Sequence, residues 1–320
     1  MNPTAMPFRQ NPLKGIIPPV PTPFTPDGEV DAESFKKLSA HLLAGGIDAA
    51  FIAGTAGLGP QMTDRQFARL AGLALECLGP SVPVLGGVME CSTQRAMERI
   101  RILESLGYDH FVLTSTYYLP PRNQQELLVH FGRCAEATAM EMIVYNIPLC
   151  TGIAIEFDTL AQMAARGWTR TIKDSSGDEE HFARLCAWAR DSGVAVFQGL
   201  RPDMLALTKS GAAGCVPVPG NIRPEVFSRA WRAAVSGDEA TARGLQVAID
   251  RLWGAAVRPG DFLSGTLYAL SKAGLVRECL PPPFSVASGD QRAAVDAALA
   301  QTESAPGENP PPGRPNPEQC

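Results

Sequence analysis

Short apolar runs alternate with longer amphipathic stretches along the whole chain. The runs begin near Ile16 (GIIPPV), Ala49 (AAFIAG), Val82 (VPVLGG), Asp109 (DHFVLT), Met142 (MIVYN), Thr169 (TRTIK), Val194 (VAVFQG) and Ala213 (AGCVPV). Successive starts lie 33, 33, 27, 33, 27, 25 and 19 residues apart, the period of a strand–helix unit. Continuous apolar runs suit parallel strands covered on both faces, whereas one-sided antiparallel strands alternate. Eight such units in series is the number that closes a (β/α)8 TIM barrel. A doubly wound sheet is the rival architecture, and the unit count and the lack of a dinucleotide fingerprint favour the barrel.

The segments between the runs read as helices with legible starts. Asp31 stands as N-cap before AESFKKLSAHLLA, whose Phe35, Leu38 and Leu42 share a face and which Gly45-Gly46 ends. Thr63, Ser92-Thr93, Asn123 and Asp178 or Glu179 open four more. After the eighth run, PEVFSRAWRAAVSG, Asp238 to Trp253 and Phe262 to Ala273 are helical as well. The expected organisation is an arm over residues 1–13, a barrel over 14–225, a C-terminal helical extension over 226–302 and a tail over 303–320. The tail holds six of the 28 prolines without apolar period, and is expected to be disordered.

Composition narrows the class. Apolar residues make up 45% and charged residues 19%, which excludes a disordered chain or a coiled coil. A net charge of −5 offers no basic field for nucleic acid. No run is long enough for a membrane helix, and the N-terminus lacks the apolar core of a signal peptide, so a cytoplasmic location is expected. Eight cysteines form no CxxC and four histidines are dispersed, so no metal site is expected.

Barrel active sites gather at the carboxyl ends of the strands, which directs attention to the polar residues that follow each apolar run. Of six lysines, only Lys173 closes a strand, TRTIK, where its amine would enter the barrel mouth. Desolvation there favours the neutral amine, which attacks ketones to form imines and needs no organic cofactor to do so; position alone equally allows a lysine paired with Asp174. Tyr145 ends the fifth run one strand away, either relaying protons or filling the top layer of the barrel. Tyr117-Tyr118 precedes Pro120-Pro121, where two aromatic rings could equally pack a turn. Gly54–Gly59, GTAGLG, matches neither nucleotide pattern, but its backbone N–H groups could hold a carboxylate, if it is more than a turn into the next helix.

Taken together, GIIPPVPTPF, GTAGLGP, TSTYYLPP, YNIPLCTG and IKDSSGD resemble, in order, the dihydrodipicolinate synthase and N-acetylneuraminate lyase superfamily of class I pyruvate aldolases, from about Lys14 to Phe284. The resemblance implies that Lys173 is the Schiff-base lysine and Tyr145 the phenol that moves protons beside it. It implies further that Thr55 and Tyr118 complete a hydroxyl relay, Tyr118 entering from a neighbouring subunit of a homotetramer. The backbone around Thr55 and Ala56 would bind the 2-oxo acid carboxylate, and Gly199 and Val216 match positions lining the pyruvate pocket. Two departures matter: Ala56 and Leu58 replace the family's common Thr and Glu, and Cys150 stands where dihydrodipicolinate synthases place an arginine. A thiol cannot replace a bidentate guanidinium on an aldehyde's carboxylate, which demotes a role in lysine biosynthesis.

The reading that follows is a lyase of carbohydrate metabolism, cleaving a 2-keto-3-deoxy sugar acid to pyruvate and an aldehyde, or condensing them. A dehydratase acting through the same imine, a 4-hydroxy-tetrahydrodipicolinate synthase and, more distantly, a non-catalytic 2-oxo-acid sensor are the alternatives.

Overall fold

The computed structural model describes residues 12–258 and 261–303. Eight parallel strands fall on the eight expected runs to within one residue: β1 (Gly15–Ile16), β2 (Ala50–Ile52), β3 (Val84–Gly87), β4 (His110–Leu113), β5 (Glu141–Asn146), β6 (Thr169–Asp174), β7 (Ala195–Gln198) and β8 (Gly214–Cys215). Each pairs with its sequence neighbour from β2 to β8, and β8 pairs with β1. The ring closes just beyond β1, where a parallel bridge joins Pro19 to Phe51 and Val20 N–H donates to Phe51 O at 2.7 Å. The chain is thus a TIM barrel followed by a helical extension.

The helices begin where their caps place them. Asp31, Ser92, Asn123 and Asp178 each accept from the backbone N–H three residues on, and Thr63 forms a capping box with Gln66. Helices over Phe157–Ala165, Met204–Ser210 and Gly289–Glu303 join those singled out from sequence. The extension comprises Pro224–Ser236, Glu239–Ala256, Ser264–Lys272 and the last of these. Of the expected N-terminal arm, residues 1–11 lie outside the described residues, as does the expected tail from residue 304 onward. No helix among the described residues is long and apolar enough to cross a membrane.

Strand alternation divides the core in two. Met142 and Val144 pack outward under the helices, while Ile143 and Tyr145 point into the barrel with Ile17, Phe51, Leu85, Val112 and Phe197. These inner side chains fill the barrel beneath its carboxyl end. Along β6 the same alternation sends Ile172 outward and turns Thr171 and Lys173 in.

Candidate active site

Lys173 stands at the upper end of this packed interior, 5% exposed. It is in register with Tyr145 on β5 and Phe197 on β7. Its Nζ lies 3.8 Å from the centre of the Tyr145 ring and 5.0 Å from that of Phe51. Burial drives its pKa down from the usual lysine value to about 7. The pairing with Asp174 that position alone allowed is not the arrangement found. Asp174 turns to the other face of the sheet, where Asn146 Nδ2 and Ser176 Oγ each donate to its carboxylate at 2.7 Å. An amine in this state is partly neutral near pH 7, as imine formation with a ketone requires.

Tyr145 is buried beside it, and burial raises its phenol well above the ordinary pKa, the Ser175 and Thr55 hydroxyls pulling it partway back. A neutral phenol flanked by two hydroxyls can receive a proton on oxygen while passing its own along. Ser175 was not singled out from sequence. Period-two alternation beyond Lys173 carries the signal, since it turns residue 175 inward as well. Ser175 Oγ is buried and, beyond its approach to the Tyr145 phenol, has no hydrogen-bond partner among the described residues, which leaves it open to a ligand.

Room for the lysine depends on Gly199, which follows β7. A Cβ there would stand 2.0 Å from Ser175 Oγ and 2.8 Å from Lys173 Cε. Val216, after the neighbouring β8, lines the same opening and is buried.

The turn after β2 brings Thr55 and Ala56 to the same opening. Leu58 N–H donates to Thr55 O, Gly59 N–H to Gly54 O, and Thr22 Oγ1 to Gly57 O at 2.7 Å, which pins the turn. Gly59 is obligatory because a Cβ would meet Ala53 O at 1.8 Å. Among the described residues, the N–H groups of Thr55 and Ala56 donate to no protein acceptor, so both remain for an anion. Ala53, Leu58 and Tyr118 are the three described non-glycine residues with left-handed backbone (φ 50°, 54° and 72°). All three sit in the two loops that edge the site, where such strain tends to collect.

Two chambers lie side by side at this end of the barrel, the first over Lys173. The first, about 580 Å³ including its mouth, is lined by Thr55, Ala56, Tyr145, Lys173, Ser175, Gly199 and Val216, with apolar side chains further out. The second shares Thr55 and Ile147 with the first and is walled by Gln61, Thr114, Tyr117, Cys150 and Thr151. Cys150 thus reaches the site, at an exposed position. Tyr118 does not: it is 90% exposed, and its neighbour Tyr117 is the one that lines a chamber. Arg122 is held on the surface by Glu126, its Nε donating at 2.9 Å. Lys173 is the only charged side chain among the described residues lining either chamber.

Comparison with known proteins agrees with this architecture. The family model described as the dihydrodipicolinate synthetase family matches residues 12–302. The 4-hydroxy-tetrahydrodipicolinate synthase of Roseobacter denitrificans is 30% identical over 290 residues, covering 90% of this chain and 97% of that one. The enzyme of the same name from Phenylobacterium zucineum is 31% identical over 292 residues, covering 90% and 96%. Among solved structures, dihydrodipicolinate synthase from Bacteroides thetaiotaomicron superposes with a TM-score of 0.84 at 25% identity, over 91% of this chain and 99% of that one. YagE, a prophage protein of E. coli K12 solved in complex with pyruvate, superposes with a TM-score of 0.86 at 24% identity, over 92% and 99%. The chain therefore belongs to the dihydrodipicolinate synthetase family and is a class I aldolase-type lyase on a (β/α)8 barrel.

Proposed function

We propose that the chain cleaves 2-keto-3-deoxy acids bearing a C4 hydroxyl, the chemical class of the 2-keto-3-deoxy sugar acids, to pyruvate and an aldehyde, or joins the two in reverse. The observation that carries this is a desolvated Lys173 amine with Tyr145 beside it and two free backbone N–H groups across the same opening. In this reading the N–H groups of Thr55 and Ala56 hold the substrate carboxylate. Lys173 attacks the C2 ketone, water leaves, and an iminium forms. The C4 hydroxyl gives its proton to the Tyr145 oxygen while the phenol passes its own toward Thr55 or Ser175. The C3–C4 bond breaks, its electron pair flows into the iminium, and the aldehyde leaves an enamine on the lysine. Protonation at C3 and attack by water release pyruvate and restore the amine.

Tyr118 remains a candidate fourth hydroxyl supplied by a second copy. Its exposure beside the exposed Leu119 supports the homotetramer within this proposal. The seven described cysteines are free thiols, which supports a reducing, cytoplasmic setting.

The relatives' names favour a second reading, condensation of pyruvate with aspartate semialdehyde. That aldehyde carries a carboxylate, and neither chamber's described lining offers it a cation beyond Lys173. Borohydride reduction in the presence of pyruvate tests the shared step. One reduced pyruvate adduct per chain is expected, on Lys173; an active enzyme labelled elsewhere, or not at all, overturns the mechanism.

A further inference from the structure

The first chamber changes character with depth. Its floor is polar and buried, formed by Lys173, Tyr145 and Ser175. Its outer walls are Leu149, Leu200, Val218, Trp253, Val257 and Phe262, whose six side chains carry no charge and a single polar group, the indole N–H of Trp253. Leu149 is 74% exposed and Leu200 36%, large apolar side chains presented at the mouth of a site rather than packed away. Three of the six come from the C-terminal extension, brought over the barrel by the helix Glu239–Ala256 and the segment after it.

We infer that this apolar mouth selects the body of the aldehyde, and that the enzyme's carbonyl partner is an aldehyde with an aromatic or branched aliphatic group rather than a polyhydroxylated or charged chain. The inference rests on the Schiff-base lyase chemistry of the reading above and sets an apolar aldehyde in place of the sugar-derived one. With the carboxylate on the turn after β2 and C2 on Lys173, the C4 hydroxyl lies at Tyr145, so whatever C4 carries extends within the chamber that Tyr145 lines. Tyr145 and Lys173 both line the first chamber and neither lines the second. The hydroxyl and amide groups of Gln61, Thr114, Tyr117 and Thr151 therefore stand away from the path of that body. A hydroxyl carried among the five aliphatic and phenyl side chains of these walls gives up water without gaining a partner, at a cost of about tenfold in binding or more. Glyceraldehyde carries two. A purely apolar pocket rejects one added hydroxyl by up to about 100-fold, so the combined preference is expected to reach about 100-fold.

The test measures kcat/KM for condensation with pyruvate across benzaldehyde, 3-methylbutanal, glyceraldehyde and aspartate semialdehyde, with the 4-hydroxy-2-oxo products quantified by mass spectrometry. The expected order is the two apolar aldehydes first, glyceraldehyde about 100-fold lower and aspartate semialdehyde lowest. Leu200→Asn and Phe262→Gln should each lower the ratio of apolar to hydroxylated turnover by about tenfold, mostly through the KM of the apolar aldehyde, with the folded fraction checked by thermal melting. Glyceraldehyde turned over as well as or better than the apolar pair overturns the inference, and assigns the aldehyde body to the second chamber. Pyruvate trapped on Lys173 without condensation of either apolar aldehyde also overturns it, while leaving the lyase reading intact. Absence of the pyruvate adduct sinks both.

Discussion

Lys173 and Tyr145 are direct partners across β5 and β6, with the lysine nitrogen 3.8 Å from the centre of the phenol ring. Two effects oppose each other at this contact. Attraction to a desolvated aromatic face favours the ammonium by about 2 kcal/mol, and Phe51 adds a second face at 5.0 Å. Burial favours the neutral amine, and it wins: the pKa falls to about 7. Among the described residues no carboxylate forms an ion pair with Lys173, since Asp174 is taken up by Asn146 and Ser176 on the other side of the sheet. The ring next to the amine thus holds it in place without fixing its charge.

The pH dependence follows from that pKa. Below about pH 7 Lys173 is mostly ammonium, and the rate of imine formation with pyruvate should fall tenfold per pH unit. Above pH 7 the rate should level off. Stopped-flow absorbance of the imine between pH 5.5 and 9 measures this; a rate still climbing tenfold per unit at pH 9 would mean a solvated lysine.

The same shift has a cost in stability. Unfolded, the lysine titrates near its ordinary 10.5; folded, it titrates near 7. Between these values the unfolded chain binds more protons, so stability rises with pH across that window and the penalty is full below pH 7. Lys173→Met removes the penalty and keeps the volume. At about 1.4 kcal/mol per pKa unit, the variant should melt several degrees higher than wild type at pH 7, by a margin that shrinks toward pH 10. It should also form no pyruvate adduct. A lower melting temperature at pH 7 would contradict the desolvation argument.

Gly199 should tolerate no side chain. In Gly199→Ala the Ser175 hydroxyl can rotate away from the new methyl, but the lysine Cε at 2.8 Å cannot yield without moving the amine. The rate of adduct formation is expected to fall by more than tenfold with a modest loss of melting temperature. Adding Ser175→Ala should restore little of it. Full rescue by the second change would locate the obstruction at the serine instead.

The strand ends and helix caps were legible in the sequence because both are local signals. Continuous apolar runs marked all eight strands, and Asp31, Thr63, Ser92 and Asn123 opened helices as their side chains predict. Lys173 stood out because a lysine closing a buried strand is chemically conspicuous. The helix Met204–Ser210 spans too little chain for its period to register, and Gly289–Glu303 is alanine-rich with no marked apolar face. Trp253, Val257 and Phe262 were unreadable for another reason. They lie about 80 residues beyond Lys173, and only the docking of the C-terminal helices over the barrel brings them to the site. The free direction of Asp174 was equally invisible, being decided by Asn146 on the neighbouring strand.

Cys150 provides a test by installation. It lines the second chamber at an exposed position, where the resemblance implies an arginine in dihydrodipicolinate synthases. A charge-assisted contact to a desolvated carboxylate is worth about 2–5 kcal/mol. With the aldehyde body in the first chamber, Cys150→Arg in the second should raise kcat/KM for aspartate semialdehyde by less than about tenfold; a larger gain, chiefly through KM and absent for glyceraldehyde, would place the aldehyde body in the second chamber. Efficient use of aspartate semialdehyde by the unmodified enzyme would show that another cation serves it, and would restore the synthase reading.

Tyr145→Phe separates proton transfer from packing. The ring touches both Lys173 and Phe51, the latter edge-on with centroids 6.3 Å apart, and phenylalanine keeps both contacts. What the change removes is the hydroxyl between Ser175 and Thr55. Proton transfer by a positioned side chain is worth roughly 10²–10⁴-fold, so turnover should fall by about that factor. The adduct with pyruvate should still form, because the amine and the backbone N–H groups of the turn after β2 are untouched. The two readouts together carry the argument: slow turnover with intact trapping places the phenol on the C3–C4 cleavage step. Turnover near wild type would reduce Tyr145 to a filler of the barrel's top layer. Loss of both turnover and trapping at an unchanged melting temperature would mean that the hydroxyl acts earlier, in forming the imine itself.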